Sequence, residues 1–139
     1  MRSFLALFLV ASSASVQSAE LPATGPLPEA GHRTIGYSSV QEALGALKAK
    51  PGVQIREQQG WTIISDKESE KVSALWSFSP EGYPAYPAAV KRITYEKDGG
   101  VYIEMKVLCQ AAKEPCDALV RDFQALNDRI KAEMRQRGK

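Results

Sequence analysis

An α+β fold is what this sequence predicts: an N-terminal helix, about five mostly antiparallel strands and a C-terminal helix, with both helices packed on one sheet face. Three observations lead there. Apolar residues recur at helical spacing in two segments, one ending near Lys50 and one beginning near Pro115. Five segments between them carry strand signals, by apolar–polar alternation or, at Trp61 to Ile64, by aromatic and β-branched residues. The connections between those segments are short, and short connections join antiparallel neighbours.

The first helix opens at Ser38 or Ser39, where Ser39 with Glu42 fits a capping box. Val40, Ala43, Leu44 and Leu47 make one narrow apolar face, and Pro51-Gly52 stops the helix. Val53 and Ile55 alternate with Gln54 and Arg56, which predicts a strand with one buried and one wet face. Gln59-Gly60 turns the chain into a second strand, Trp61 to Ile64. Asp66 to Lys71 reads as a charged, solvated connection. Val72, Ala74, Trp76 and Phe78 form an alternating stripe with Ser73 and Ser77 opposite. After a proline-rich loop, Ala89, Lys91, Ile93 and Tyr95 point one way and Val90, Arg92 and Thr94 the other. Asp98-Gly99 is a tight-hairpin signal, because both positions tolerate positive φ. Val101, Ile103, Met105 and Val107 return as the last strand, opposite Tyr102, Glu104 and Lys106. In the final helix Leu119, Phe123, Leu126 and Ile130 are spaced four, three and four apart, widened by Val120 and Met134. Asp117–Arg121 and Glu133–Arg137 lie four apart on its charged side.

Length and composition set the class. The chain has 139 residues, which suits one domain. Basic residues number 18 against 16 acidic ones, a formal charge of +2, too small to argue for nucleic acid or an anionic membrane. Residues 1–19 read as an export signal: Arg2, then an apolar run from Phe4 to Ala11, then small residues. That run is too short to span a bilayer, so the mature form has no transmembrane span. No cysteine lies near the cleavage region to take a lipid. Residues 20–34 hold three prolines and two glycines and read as a flexible tether. The single domain then covers 35–139.

Export changes the meaning of Cys109 and Cys116, the sole cysteines. In an oxidising compartment such a pair is most simply a disulfide. The spacing does not match the C-x-x-C of redox sites, and no histidine is near enough in sequence to complete a zinc set. The one histidine, His32, falls in the tether and has no framework to hold it as a catalytic base. No glycine-rich phosphate cradle precedes a helix. The sequence therefore implies no catalytic residues, no metal, no cofactor and no enzyme, and it fixes no oligomeric state.

The stretch from Ser73 to Arg92 carries the binding hypotheses. Trp76 and Phe78 read as core. Tyr83, Pro84, Tyr86 and Pro87 either seal the sheet edge or present a proline-stiffened aromatic surface, with Lys91 and Arg92 at its rim for an acidic partner. A second site is open: a pocket for an apolar small molecule between helices and sheet, lined by Trp61, Trp76 and Phe123.

Gly60-Trp61-Thr62-Ile63, Trp76-Ser77-Phe78-Ser79-Pro80, Tyr83-Pro84-Ala85-Tyr86-Pro87-Ala88 with Val90-Lys91-Arg92, and the Cys109–Cys116 segment together resemble a group of small exported proteins of Gram-negative bacteria. The resemblance covers roughly residues 35–134. It implies a periplasmic or secreted location and carries over no catalytic or binding residue. The expected function is an exported soluble protein that binds a protein or envelope partner. The alternative is a small-molecule binder, and an enzyme stands third.

Overall fold

A computed structural model describes residues 35–138; the predicted export signal and tether, with His32, lie outside the described residues. The elements follow the chain as α1 (Val40–Ala49), β1 (Gln54–Gln58), β2 (Trp61–Lys67), β3 (Val72–Phe78), β4 (Ala88–Lys97), β5 (Gly100–Cys109) and α2 (Lys113–Arg137). The strands form one sheet in sequence order, each antiparallel to the next.

Local chemistry accounts for the boundaries. Ser39 caps α1 by accepting the Glu42 N–H at 3.0 Å. The Ser38 N–H (3.0 Å) and hydroxyl both donate back to the Glu42 carboxylate. These bonds favour the ionised form and hold the Glu42 carboxyl below its ordinary pKa. The β1–β2 turn has positive φ at Gln59 (52°) and Gly60 (81°), and the β4–β5 turn at Asp98 (52°) and Gly99 (75°), the pattern of two-residue hairpins. Gly60 is needed for a second reason: a Cβ there would sit 3.3 Å from Cβ of Pro80, where the proline-rich loop crosses the turn.

The two hairpin turns set the register, and the register assigns the faces. Ile64 pairs with Trp76, Trp76 with Lys91, and Phe78 with Ala89, which pairs in turn with Leu108. On this face Ile64, Trp76, Phe78, Ala89 and Leu108 pack beneath Val40, Ala43 and Leu47 of α1. On the other, Val90 and Val107 pack beneath Leu119 and Val120 of α2, with Ala85 of the loop. The helices therefore lie on opposite faces of the sheet, which corrects the expectation that both share one. The reason is in the strands. Ile63-Ile64, Ala88-Ala89-Val90 and Val107-Leu108 are consecutive buried residues, and consecutive burial in a strand requires cover on both faces.

Two further expectations change. Every residue of β1 is exposed, Ile55 at 47%, because β1 is the sheet edge and extends beyond the cover of α1. Asp66 is not in a solvated turn but is buried in β2, ion-paired to Lys50 at 2.5 Å. That bond holds the Lys50 ammonium above its ordinary pKa. Asp117 pairs with Lys113 at 2.5 Å, on the side away from Arg121.

The Cys109–Cys116 disulfide is present and joins the last residue of β5 to the first turn of α2. Ala112 gives α2 no side-chain cap, so the crosslink anchors a helix start that lacks the usual capping bond. Replacing both cysteines by serine should lower stability by about 2–3 kcal/mol, the loop-closure value for so short a ring. A urea titration of the oxidised parent and the double variant measures it, and an unchanged midpoint would show that packing alone holds α2.

Candidate functional site

The α2 helix lies along β4 and β5, and on its side of the sheet β1 to β3 remain open. Strand register puts Arg56 beside Ile63, Ile63 beside Ser77, and Leu75 beside Arg92, all facing this opening. Phe123 and Leu126 of α2 form one wall, and Trp61 with Gln58 and Gln59 closes the end at the β1–β2 turn. The result is a cleft of about 190 Å³.

Its aromatic end is tightly built. The Trp61 ring lies 5.6 Å from Phe123 at a 60° tilt and 4.9 Å from Tyr83, nearly edge-on. Burial, and secondarily the nearby Asp122 charge, pushes the Tyr83 hydroxyl above its ordinary pKa.

Its charge is one-sided. The lining includes two guanidinium groups, Arg56 and Arg92, and no carboxylate, imidazole, amine or thiol. Arg92 stacks over Phe123 at 5.6 Å. Its Nε is buried and has no hydrogen-bond partner among the described residues. Burial, reinforced by the positive charge of Arg56, lowers the Arg92 pKa. It remains a cation, since guanidinium does not deprotonate in proteins.

The residues singled out from the sequence are distributed over three places. Tyr83 is half-buried against Trp61 and seals the cleft end. Pro84 is exposed and Pro87 half-buried, with a cis peptide between Tyr86 and Pro87. Tyr86 is 44% exposed on the outside of the loop. The loop is held by its own bonds: Ser79 N–H to Ala88 O at 3.0 Å, Ala88 N–H to Ser79 Oγ at 2.9 Å, and Tyr86 N–H to Tyr83 O at 2.9 Å. Lys91 faces the α1 layer, 5.1 Å from the Trp76 ring and 2.9 Å from Glu68. Arg92, one residue on, faces the cleft, so the two cations do not share a rim.

Of the aromatic trio proposed for a pocket, Trp61 and Phe123 meet in the cleft. Trp76 is 3% exposed on the opposite face, against Tyr37 and Phe78. Arg56, Ile63, Leu75 and Ser77 were not anticipated as a group. The Gln59-Gly60 turn carried the signal, because a two-residue hairpin there pairs Arg56 with Ile63.

Among the described residues no three or more His, Cys, Asp or Glu side chains gather as a metal-binding group. No described helix is long and apolar enough to cross a membrane. No family model, curated protein or solved structure matches the chain.

A partly buried guanidinium whose Nε has no acceptor costs stability. Replacing Arg92 with Met, which fits beside Leu75 and Phe123, should leave stability unchanged or raise it by up to about 1 kcal/mol. Moderate NaCl should stabilise the parent by screening Arg56 from Arg92, and this gain should shrink in Arg92→Met. Chemical denaturation at two salt concentrations tests both. A loss above about 2 kcal/mol would make Arg92 a structural residue.

Proposed function

We propose that this is an exported, non-catalytic binding protein whose site is the cleft between α2 and the open face of β1 to β3. The observation that carries the reading is the cleft itself: apolar and aromatic walls around a small number of converging polar groups, the usual make-up of a small-molecule site. Its lining offers guanidinium, amide and hydroxyl groups but no residue suited to general acid–base work near neutral pH. That chemistry supports binding over turnover. The disulfide supports an oxidising compartment, periplasmic or extracellular.

Trp61 and Trp76 provide paired reporters, one in the cleft and one beneath α1. Titration with a set of single-ring aromatic compounds, neutral and charged, should move the Trp61 indole N–H resonance and leave that of Trp76 in place. Leu126→Phe, which fills the half-exposed mouth, should suppress the shift without lowering the unfolding temperature. Failure of every compound to move Trp61 would overturn the cleft reading.

A second reading, attachment to a protein or envelope partner through the proline-rich loop, has one observation in its favour. The loop is braced internally yet leaves Tyr86 exposed, so ordering it on contact costs little entropy. Crosslinking in intact cells should then capture a partner that Tyr86→Ala loses. Equal capture by both proteins would remove the loop from the interface.

A further inference from the structure

We infer that the cleft selects a small aromatic carboxylate, with the carboxylate on Arg56 and Arg92 and the ring against Trp61 and Phe123. The inference rests on the cleft being the binding site and adds the chemical class of its ligand.

The charge pattern comes first. Two like-charged groups face one opening, with no acid in its lining. Within the sheet, the register neighbours of Arg92 are Leu75 and Met105, and that of Arg56 is Ile63. None can accept a charge-assisted bond as a carboxylate would. The acid nearest Arg56 in sequence, Glu57, alternates to the other face, where it accepts a bond from the Thr62 hydroxyl at 2.8 Å. Lys91 and Lys50, by contrast, each have a carboxylate partner. Arg92 is the partly buried cation whose Nε is left over. An anion in the cleft supplies the missing acceptor and relieves the repulsion between the two guanidinium groups.

The acceptor has to suit its donors. A guanidinium presents its N–H groups in a planar fork that matches the two oxygens of a carboxylate. A phosphate is also recognised by arginine, but small phosphate sites draw as well on backbone N–H groups at turns or helix starts. The floor formed by Ile63, Leu75 and Ser77 belongs to the inner strands β2 and β3, whose N–H groups are committed to ladders on both sides. Carboxylate fits this donor set better.

The body of the ligand follows from shape. About 190 Å³ is well under the range of roughly 300–1,000 Å³ for drug-sized molecules. That space admits a single ring with a short side chain. The walls are aromatic at 60° to each other, which favours a flat group that can stack on one ring and meet the other edge-on. Ile63, Leu75 and Leu126 complete an apolar seat.

The test uses the full exported chain with its disulfide intact and three probes: 3-phenylpropionate, the neutral isostere 3-phenylpropanol, and inorganic phosphate. Binding is measured by calorimetry and located by the Trp61 indole resonance. The propionate should bind about tenfold more tightly than the alcohol, as expected for a hydrogen bond to a charged group. Arg56→Gln, at an exposed position, should weaken propionate binding far more than alcohol binding and so remove most of that difference. Arg92→Gln should do the same, with thermal unfolding confirming that each variant is folded. Equal binding of propionate and alcohol would overturn the carboxylate inference while leaving the cleft reading intact. Binding of phosphate alone would overturn the aromatic half. Propionate affinity unaltered in both variants would overturn the arginine assignment, and no binding by any probe would count against both this inference and the cleft reading.

Discussion

The controlling constraint is a mismatch of widths. A helix is about 10 Å across, whereas strands are spaced about 4.8 Å apart, so one helix shelters roughly two strands. This sheet has five. Once the hairpin register commits α2 to β4 and β5, half of that face has no helix over it. The cleft is the space that remains. The chain fills part of it from the edges, with Trp61 at the turn, Tyr83 from the loop and Phe123 from the helix. The opposite face meets the same shortage differently: α1 is ten residues long, and past its end Lys50–Asp66 and Lys91–Glu68 ion pairs cover what apolar packing does not.

This division explains how charges are treated across the sheet. On the α1 face, lysines end in partnered ammonium groups. On the α2 face, the two arginines lie over apolar floor with no acid among the lining residues. A fold selected for stability alone would have little reason to leave a partly buried guanidinium in this state, because removing a charge from water is repaid only by a well-placed partner. Sites that conflict with local energetic rules while the rest of the molecule obeys them are where function is expected.

Much of the secondary structure was legible in the sequence, and the layer arrangement was not. The strand segments, both tight turns, the α1 cap and the disulfide follow from local chemistry: the glycines of Gln59-Gly60 and Asp98-Gly99, the serines before α1, and two cysteines close in a sequence that reads as exported. Helix placement depends on which sheet face each apolar stripe meets, and both helices have such a stripe. The doubled apolar positions, Ile63-Ile64 and Val107-Leu108, decide the placement, and strict alternation treats them as noise. The same gap grouped Trp76 with Trp61. They are separated by parity in the register, since Trp76 pairs with Ile64, three residues from Trp61. Ile55 was misjudged because alternation cannot reveal that a strand lies at the edge.

The pleat at Lys91 and Arg92 has a consequence for how such a chain can change over generations. Neighbouring positions serve unrelated layers, so substitutions at 91 and 92 are nearly independent in effect. A single-residue insertion or deletion early in β4 is a different event. It would reverse every later side chain of the strand, carrying a guanidinium under α1 and Lys91 into the cleft at the same stroke. Change by point replacement is open to this strand, whereas a change in its length would have to be absorbed by a bulge before residue 91.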